Sequence, residues 1–336
     1  LNFKLGQKIV IGSWLIQLIL SYQAWFGGSP LDSIYFFWYH PVWLPILTIG
    51  FIISLIGIAF FPHHKKVLYY TMIGFLVALL LCNNHLLQPW QLINALLLGA
   101  LLFENLKLFT LVLGGLYFWS GLNKLNPWFE EEVLHWFLSP LSNPTQSWMS
   151  IAIPILEMLS GVLLLFNVTQ KNTVLFCIFK HLFIVIMLSP LVHNWNTVVI
   201  PWNIGLAVLL YLFYVKEKSV VIDKPLRIKH YPLIFIFWIT PLFWYLDLWP
   251  FSLSFHLYSG YHSELYLIKG ADKDIVDLEE QYQNTYNIPL VINTFTIKQL
   301  VNRLQLEDDY IALVHYYKKP FVKEKVKVIY QNFEGK

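Results

Sequence analysis

Charge is scarce in this chain. Only 13% of its 336 residues are Asp, Glu, Lys or Arg, against about a quarter in ordinary soluble domains, which excludes a conventional water-soluble globule. The net charge is +3 and no dense basic cluster occurs, so a nucleic-acid-binding surface is excluded as well. Cysteine is equally sparse. Cys82 and Cys177 both fall in or beside apolar runs, and no CxxC pair exists, which points to buried thiols rather than a disulfide or a redox motif. The first apolar run, 9–26, has no small-residue cleavage pattern after it and reads as a retained helix.

What the chain has in abundance is apolar surface: 57% of residues are hydrophobic and 18% aromatic, with a mean hydropathy of +0.55. A membrane span needs about 20 mostly apolar residues. Candidate segments fall at 8–26, 42–61, 67–83, 87–103, 106–123, 149–167, 173–191, 198–215 and 231–247. The fourth is short and begins near Pro89; as an interfacial loop it would reduce the count to eight and invert every later connection. The expected fold is therefore an all-α polytopic integral membrane protein of eight or nine spans over residues 1–250. Residues 251–336 are expected to form a small extramembrane α+β domain.

The connections differ in chemistry. Lys4 and Lys8, His63 to Lys66, Lys107, Lys171, and the Lys216 to Lys229 cluster occupy the amino terminus and the even-numbered connections, which the positive-inside rule assigns to the cytoplasm. The opposite side collects amides, imidazoles and one amine: Asn83, Asn84 and His85; Asn123, Lys124 and Asn126; His193, Asn194 and Asn196; and FSLSFHLYSGYHSE from Phe251. Polar groups gathered on one face of an apolar body are candidates for a site.

Glu157, inside the sixth apolar segment, must pair or neutralise there, either structurally or by tuning Lys124. After Lys124, NPWFEEEVLHWFLSPL places Trp128, Phe129, Val133, Trp136 and Phe137 on one side of a short interfacial helix, with Glu130 to Glu132 toward water, as a rim or an anchor. From Tyr261 onward the tail carries 11 acidic and 10 basic residues, about half the chain's charge. Residues 264–268 and 325–330 alternate like strands, and 276–282 and 297–306 read as short helices. His262 and His315 read as surface histidines.

Tyr117 to Asn126 spell YFWSGLNKLN. With Pro127 and Trp128, this stretch resembles the signature of the vitamin K-dependent gamma-carboxylase family, which includes bacterial proteins with a horizontally transferred transmembrane (HTTM) domain. Asn83, Asn84 and His85 match the family's Asn-Asn-His segment, and HNWNTVVIPWN from His193 and the pair Tyr258–Ser259 are similar to further family features. The resemblance spans about residues 5–265.

It implies a lyase-type membrane enzyme that oxidises reduced vitamin K, or a menaquinol-type quinol, with oxygen and couples this to proton abstraction or carboxylation. By the same resemblance Lys124 is the base and His85 stabilises oxygen chemistry on the quinol. Asn83, Asn84, Tyr117, Trp119, Trp128, His193, Asn196 and Tyr258 are the candidates to line a quinol slot. No metal is required. The implied setting is the bacterial inner membrane, with the polar site facing the periplasm.

The residues allow plainer roles too: Lys124 snorkelling at a span end, and His85 capping a short helix. Partners expected on these readings are membrane lipids, the quinol, and an extracytoplasmic protein or membrane complex held by the tail. The family's long propeptide-recognising region is missing, which favours a non-catalytic subunit as the rival reading. A transporter is disfavoured because no inverted repeat is visible.

Overall fold

The computed structural model describes residues 1–27, 43–141, 147–166, 170–217, 231–246, 248–249, 251–261, 264–269, 274–290, 297, 310–318 and 325–331. The chain is mostly helical. Its helices are α1 (Phe3–Leu20), α2 (Tyr22–Phe26), α3 (Trp43–Phe60), α4 (Lys65–Cys82), α5 (Pro89–Leu102), α6 (Leu106–Leu122), α7 (His135–Leu138), α8 (Met149–Leu163), α9 (Gln170–Leu188), α10 (Ile200–Leu210), α11 (Tyr231–Ile234) and α12 (Leu278–Tyr286). A π-helical stretch extends α10 to Lys216, and α11 continues through π and 3-10 turns to Leu246.

Among the described residues, five helical segments are long and apolar enough to cross a membrane: Phe3–Leu20, Trp43–Phe60, Lys65–Cys82, Lys171–Leu188 and Thr197–Lys216. Four shorter apolar helices accompany them, at Pro89–Leu102, Leu106–Leu122, Met149–Leu163 and Phe235–Leu246. The outer helices are apolar on both faces. On α3, Leu44, Phe51, Leu55 and Ile58 are buried while Ile46, Ile49, Ile53, Ile56 and Phe60 are exposed in a helical stripe. Water would penalise such a stripe, whereas hydrocarbon does not.

The segment from Pro89, which looks weakest in sequence, forms α5 and is buried on almost every side. Pro89 sits in the first turn, where a missing N–H is harmless, and Gln88 enters extended. Local caps start the other ends: Asn2 accepts from the Leu5 N–H at 3.0 Å, and Asn105 from the Leu108 N–H at 3.0 Å. Each such cap contributes about 1 kcal/mol.

The helices have two chemically distinct ends. At the basic end the Asn2 N–H bonds Glu217, Gln7 donates to the Leu101 carbonyl, and Lys66 lies over the Phe103 ring. At the polar end Asn83 Nδ2 reaches the Ala24 carbonyl at 3.4 Å, and Asn287 Nδ2 joins Thr197 Oγ1 at 2.8 Å. The loops that the charge bias sorts to opposite sides thus meet at opposite ends.

In the carboxyl-terminal segment, β1 (Glu264–Lys269), β2 (Asp274–Asp277), β3 (Tyr310–Lys318) and β4 (Lys325–Gln331) form an antiparallel sheet in the order β2-β1-β3-β4. Leu265, Leu267, Leu313 and His315 are buried, so His315 is not the surface histidine that the sequence suggests. It stands opposite Leu265 on an inner strand. Val276 belongs to β2 rather than to a helix, because Asp277 caps the Glu279 and Glu280 N–H groups and starts α12 one residue later. Ile297 is buried, and the helix expected over 298–306 lies outside the described residues.

Backbone proximity between α6 and α8 depends on glycine. A methyl group at Gly161 would strike the Gly114 carbonyl oxygen and the Phe118 backbone, and one at Gly121 would strike Met158 N and the Pro154 carbonyl. Small residues let membrane helices approach this closely. Gly161→Leu is expected to cost at least the roughly 1–3 kcal/mol of an overpacked contact and to abolish the monodisperse folded species. Gly12→Leu, where no atom lies within 4 Å of the added group, is the control expected to leave thermal unfolding unchanged.

Candidate functional site

Helix α6 ends in a tight turn: the Asn123 N–H bonds the Trp119 carbonyl at 2.9 Å, and the Lys124 N–H the Gly121 carbonyl at 3.0 Å. This turn folds the Lys124 side chain back along the helix. Its ammonium donates to the Ser120 carbonyl at 3.0 Å, to Ser120 Oγ at 2.7 Å, and to Glu157 Oε2 on α8 at 2.8 Å. A cation at the carbonyl end of a helix also meets the favourable end of the dipole.

Glu157 does not serve Lys124 alone. Its other oxygen accepts from Lys180 Nζ on α9 at 2.9 Å. The carboxylate is buried, as is Lys124, while the Lys180 side chain is 15% exposed. Lys180 also stands 3.9 Å from the centre of the Tyr117 ring, a cation–π contact.

A neutral chain continues from there. Tyr117 Oη lies 2.6 Å from His181 Nε2, and His181 Nδ1 lies 2.7 Å from Asn203 Oδ1. An amide oxygen only accepts, so His181 Nδ1 carries the proton and its Nε2 accepts from the tyrosine. Asn203 fixes its own orientation by donating to the Val199 carbonyl at 2.9 Å. Four helices therefore share one network running from Lys124 to Asn203, two hydrogen-bonded groups joined by the Lys180 cation over the Tyr117 ring.

Above Lys124, the loop Phe251–Tyr261 is tied to the same turn. Asn123 Nδ2 donates to the Ser254 carbonyl at 2.6 Å, Asn126 Nδ2 to the Ser259 carbonyl at 2.7 Å, and Tyr245 Oη to Asn123 Oδ1 at 2.8 Å. Gly260, at φ +80°, presses against the Trp128 backbone, where a side chain would not fit. His256 lies between Trp244 and Phe251, with ring centres 3.9 and 4.4 Å away. Burial and the Lys124 charge hold the His256 imidazole well below its ordinary pKa, so it is neutral. Its Nε2 and the indole N–H of Trp119 are buried without a hydrogen-bond partner.

The structure divides the residues singled out in the sequence. Tyr117, Trp119, Trp128 and Lys124 surround the α6 turn, and Asn196 reaches Tyr258 Oη at 3.3 Å in the adjoining loop. His193 lies against Trp136, 4.2 Å between ring centres, and donates to the Phe137 carbonyl at 3.0 Å. The segment around Trp136 is amphipathic as expected, but its buried side is Phe129, Leu134 and Leu138, because a π turn over Phe129–Leu134 shifts the phase.

His85 has other neighbours. Its ring lies 4.9 Å from that of Tyr282 on α12, and Gln88 Nε2 donates to the Pro289 carbonyl at 2.9 Å, so the carboxyl-terminal segment covers it. Asn83 Oδ1 accepts from the His85 backbone N–H at 3.0 Å. Both ring nitrogens are buried without a partner. The Asn84 side chain lies outside the described residues.

Sequence reasoning passed over Lys180 and His181. The signal that marked Glu157, ionisable side chains deep within an apolar run, was present in LFCIFKHLFIVIML as well.

Burial pushes His85 down to about 4. An unfolded histidine takes up its proton near pH 6.5, so between those values the unfolded chain binds a proton that the folded chain refuses. His85 therefore contributes stability above pH 6.5 that is lost on acidification, roughly 3 kcal/mol by pH 4. Thermal unfolding between pH 7.5 and 4.5 is expected to fall more steeply in the wild type than in His85→Phe. Parallel curves would show that the ring is not held neutral.

No protein-family model, curated protein or solved structure matches the chain.

Proposed function

We propose that this chain is a bacterial inner-membrane enzyme of the gamma-carboxylase-like, HTTM type, oxidising a quinol with oxygen and using Lys124 as its base. On this reading all nine apolar segments cross the membrane, and the carboxyl-terminal sheet and α12 form a small domain on the periplasmic side. One observation carries it: Lys124 is a buried amine at the polar end of an apolar bundle, hydrogen-bonded to Ser120 and Glu157 and flanked by aromatic residues.

A flat, two-oxygen aromatic ligand is the proposed occupant, and the support for it is the chemistry of the residues around the α6 turn. Trp119 Nε1 and His256 Nε2 are buried polar atoms lacking partners near the α6 turn, and the neighbouring Trp244, Phe251 and Trp128 supply ring faces. Reduced quinone, when bound, supplies the electrons for oxygen. The chain's own residues supply the rest. Lys124 holds or takes a proton at Nζ, Ser120 and Glu157 orient it, and the surrounding indoles exclude water.

The competing reading is a non-catalytic subunit. It draws on the sheet, whose edge strand β4 presents Ile329 at 48% exposure, a surface suited to strand addition by a partner protein.

The two readings separate in lipid nanodiscs. Wild-type protein is expected to convert a reduced naphthoquinone to its epoxide in the presence of oxygen, and Lys124→Ala, still folded, to lose at least a hundredfold of that rate, the lower end of general-base contributions of about 100- to 10,000-fold. Undiminished turnover in a folded Lys124→Ala protein would rule out the amine as base. Absence of epoxide from the wild type across several quinols, with a working carboxylase alongside, would favour the subunit.

A further inference from the structure

The buried cluster does not balance. Around one carboxylate, Glu157, stand two amines, Lys124 from the end of α6 and Lys180 from α9. The other titratable groups packed here are Tyr117 on α6, Cys177 and His181 on α9, and His256 in the loop above. His256 is kept neutral chiefly by its burial, and His181 is engaged as a donor to Asn203 and an acceptor from Tyr117. With both lysines protonated, the cluster carries one positive charge that no carboxylate among the described residues compensates, which is costly in apolar surroundings. With one of them neutral it carries none.

The contacts of the two lysines and their difference in exposure favour Lys124 as the neutral one. Lys180 lies over the Tyr117 ring at 3.9 Å, an attraction that exists only for the cation. Lys124 has no such ring among the described residues; besides Glu157 its partners are the carbonyl and hydroxyl of Ser120. A hydroxyl can turn to donate its proton to a free amine, so Lys124 keeps hydrogen bonds in either state. The Lys180 side chain is also the more exposed of the two, 15% against 9%, so its charge costs less to hold.

We infer that Lys180 is a positioning residue, the standing counter-ion of Glu157, whose ion pair leaves Lys124 free to exist as the neutral amine that a base must be. This rests on the reading of Lys124 as the base, but its structural half stands apart from any reaction. Without Lys180, Glu157 would depend on Lys124 alone and would hold it as an ammonium. With Lys180, Lys124 can shed its proton without stranding a buried carboxylate.

The test is a stability cycle on the full-length protein in nanodiscs, followed by an activity profile. Lys124→Met and Lys180→Met are each expected to unfold within a few degrees of the wild type, since either lysine alone still pairs Glu157. The double variant strands the carboxylate and is expected to lose far more than the two single losses combined. Additive losses, or a Lys124→Met protein as unstable as the double variant, would overturn the counter-ion role whatever the catalytic outcome.

For quinol oxidation, Lys180→Met is expected to move the rising limb of the pH–rate profile by about one unit toward alkaline pH, the scale of one lost opposing charge, and Lys180→Arg to restore it. An unshifted profile in a folded Lys180→Met protein would also overturn the inference. A wild type without turnover would count against the quinol reading, and the stability cycle would then decide the counter-ion role by itself.

Discussion

A carboxylate placed in the middle of an apolar bundle dictates where its neighbours go. Glu157 cannot be solvated by hydrocarbon, and an unpaired buried charge costs several kcal/mol, so a counter-ion must reach it and hydrogen-bond donors must meet both of its oxygens. Lys124 arrives from the end of α6 and Lys180 from the side of α9. The two helices that Lys124 and Glu157 join at 2.8 Å also pack with their backbones in close approach. That approach is the physical role of Gly114, Gly121 and Gly161, whose missing side chains leave room for the neighbouring helix. The glycine seam and the buried ion pair thus tie together the same two helices.

The network above the carboxylate is built differently. Asn123 and Asn126, on either side of Lys124, use their amide groups to hold backbone carbonyls of Ser254 and Ser259, and Asn126 Oδ1 also accepts the Trp128 and Phe129 N–H groups that open the next helical turn. Neutral amides suit this place because they satisfy carbonyls without adding charge beside a buried ionic cluster. The histidines there obey the same rule. His256 is neutral by burial, and the Tyr258 hydroxyl nearby is pushed up by burial and stays protonated. A layer of neutral hydrogen bonds thus covers a charged layer beneath it and ties the loop Phe251–Tyr261 to the end of α6.

How much of this is legible in the sequence depends on whether a feature is local. The long helices α1, α3, α4 and α9 are visible because runs of eighteen or more predominantly apolar residues leave no alternative. Helix α5 has only fourteen residues, and its position inside the bundle depends on contacts from α1, α4 and α6 that no window of sequence contains. The α6 turn is legible as a collection of chemical groups at one end. That Asn123 faces Ser254, 131 residues away, is not. Lys180 shows the opposite failure: the local signal is plain, but its meaning depends on Glu157 having a second oxygen to offer. His85 shares an end with Lys124 as its loop suggests, yet its ring neighbour is Tyr282, from a segment whose helical boundary rests on one capping aspartate.

The asymmetry of the two ends bears on what such a body can do. A transport path must open alternately to both sides, and its polar groups are expected near the middle, between broken helices. Here the basic end is closed by ordinary structural bonds: Gln7 on the Leu101 carbonyl, Thr110 against Tyr214, and the Tyr69 hydroxyl on the Ala95 carbonyl. Below the Lys124 to Asn203 network, α5 and α6 present leucines, valine and phenylalanine, among them Leu97, Leu98, Phe109, Val112 and Leu113, all buried. A charge moving toward that end would meet no partner among these side chains. Among the described residues this apolar floor separates the Lys124 cluster from the basic end, and the proposal of a confined base draws on that separation, which the passage of a solute would have to cross.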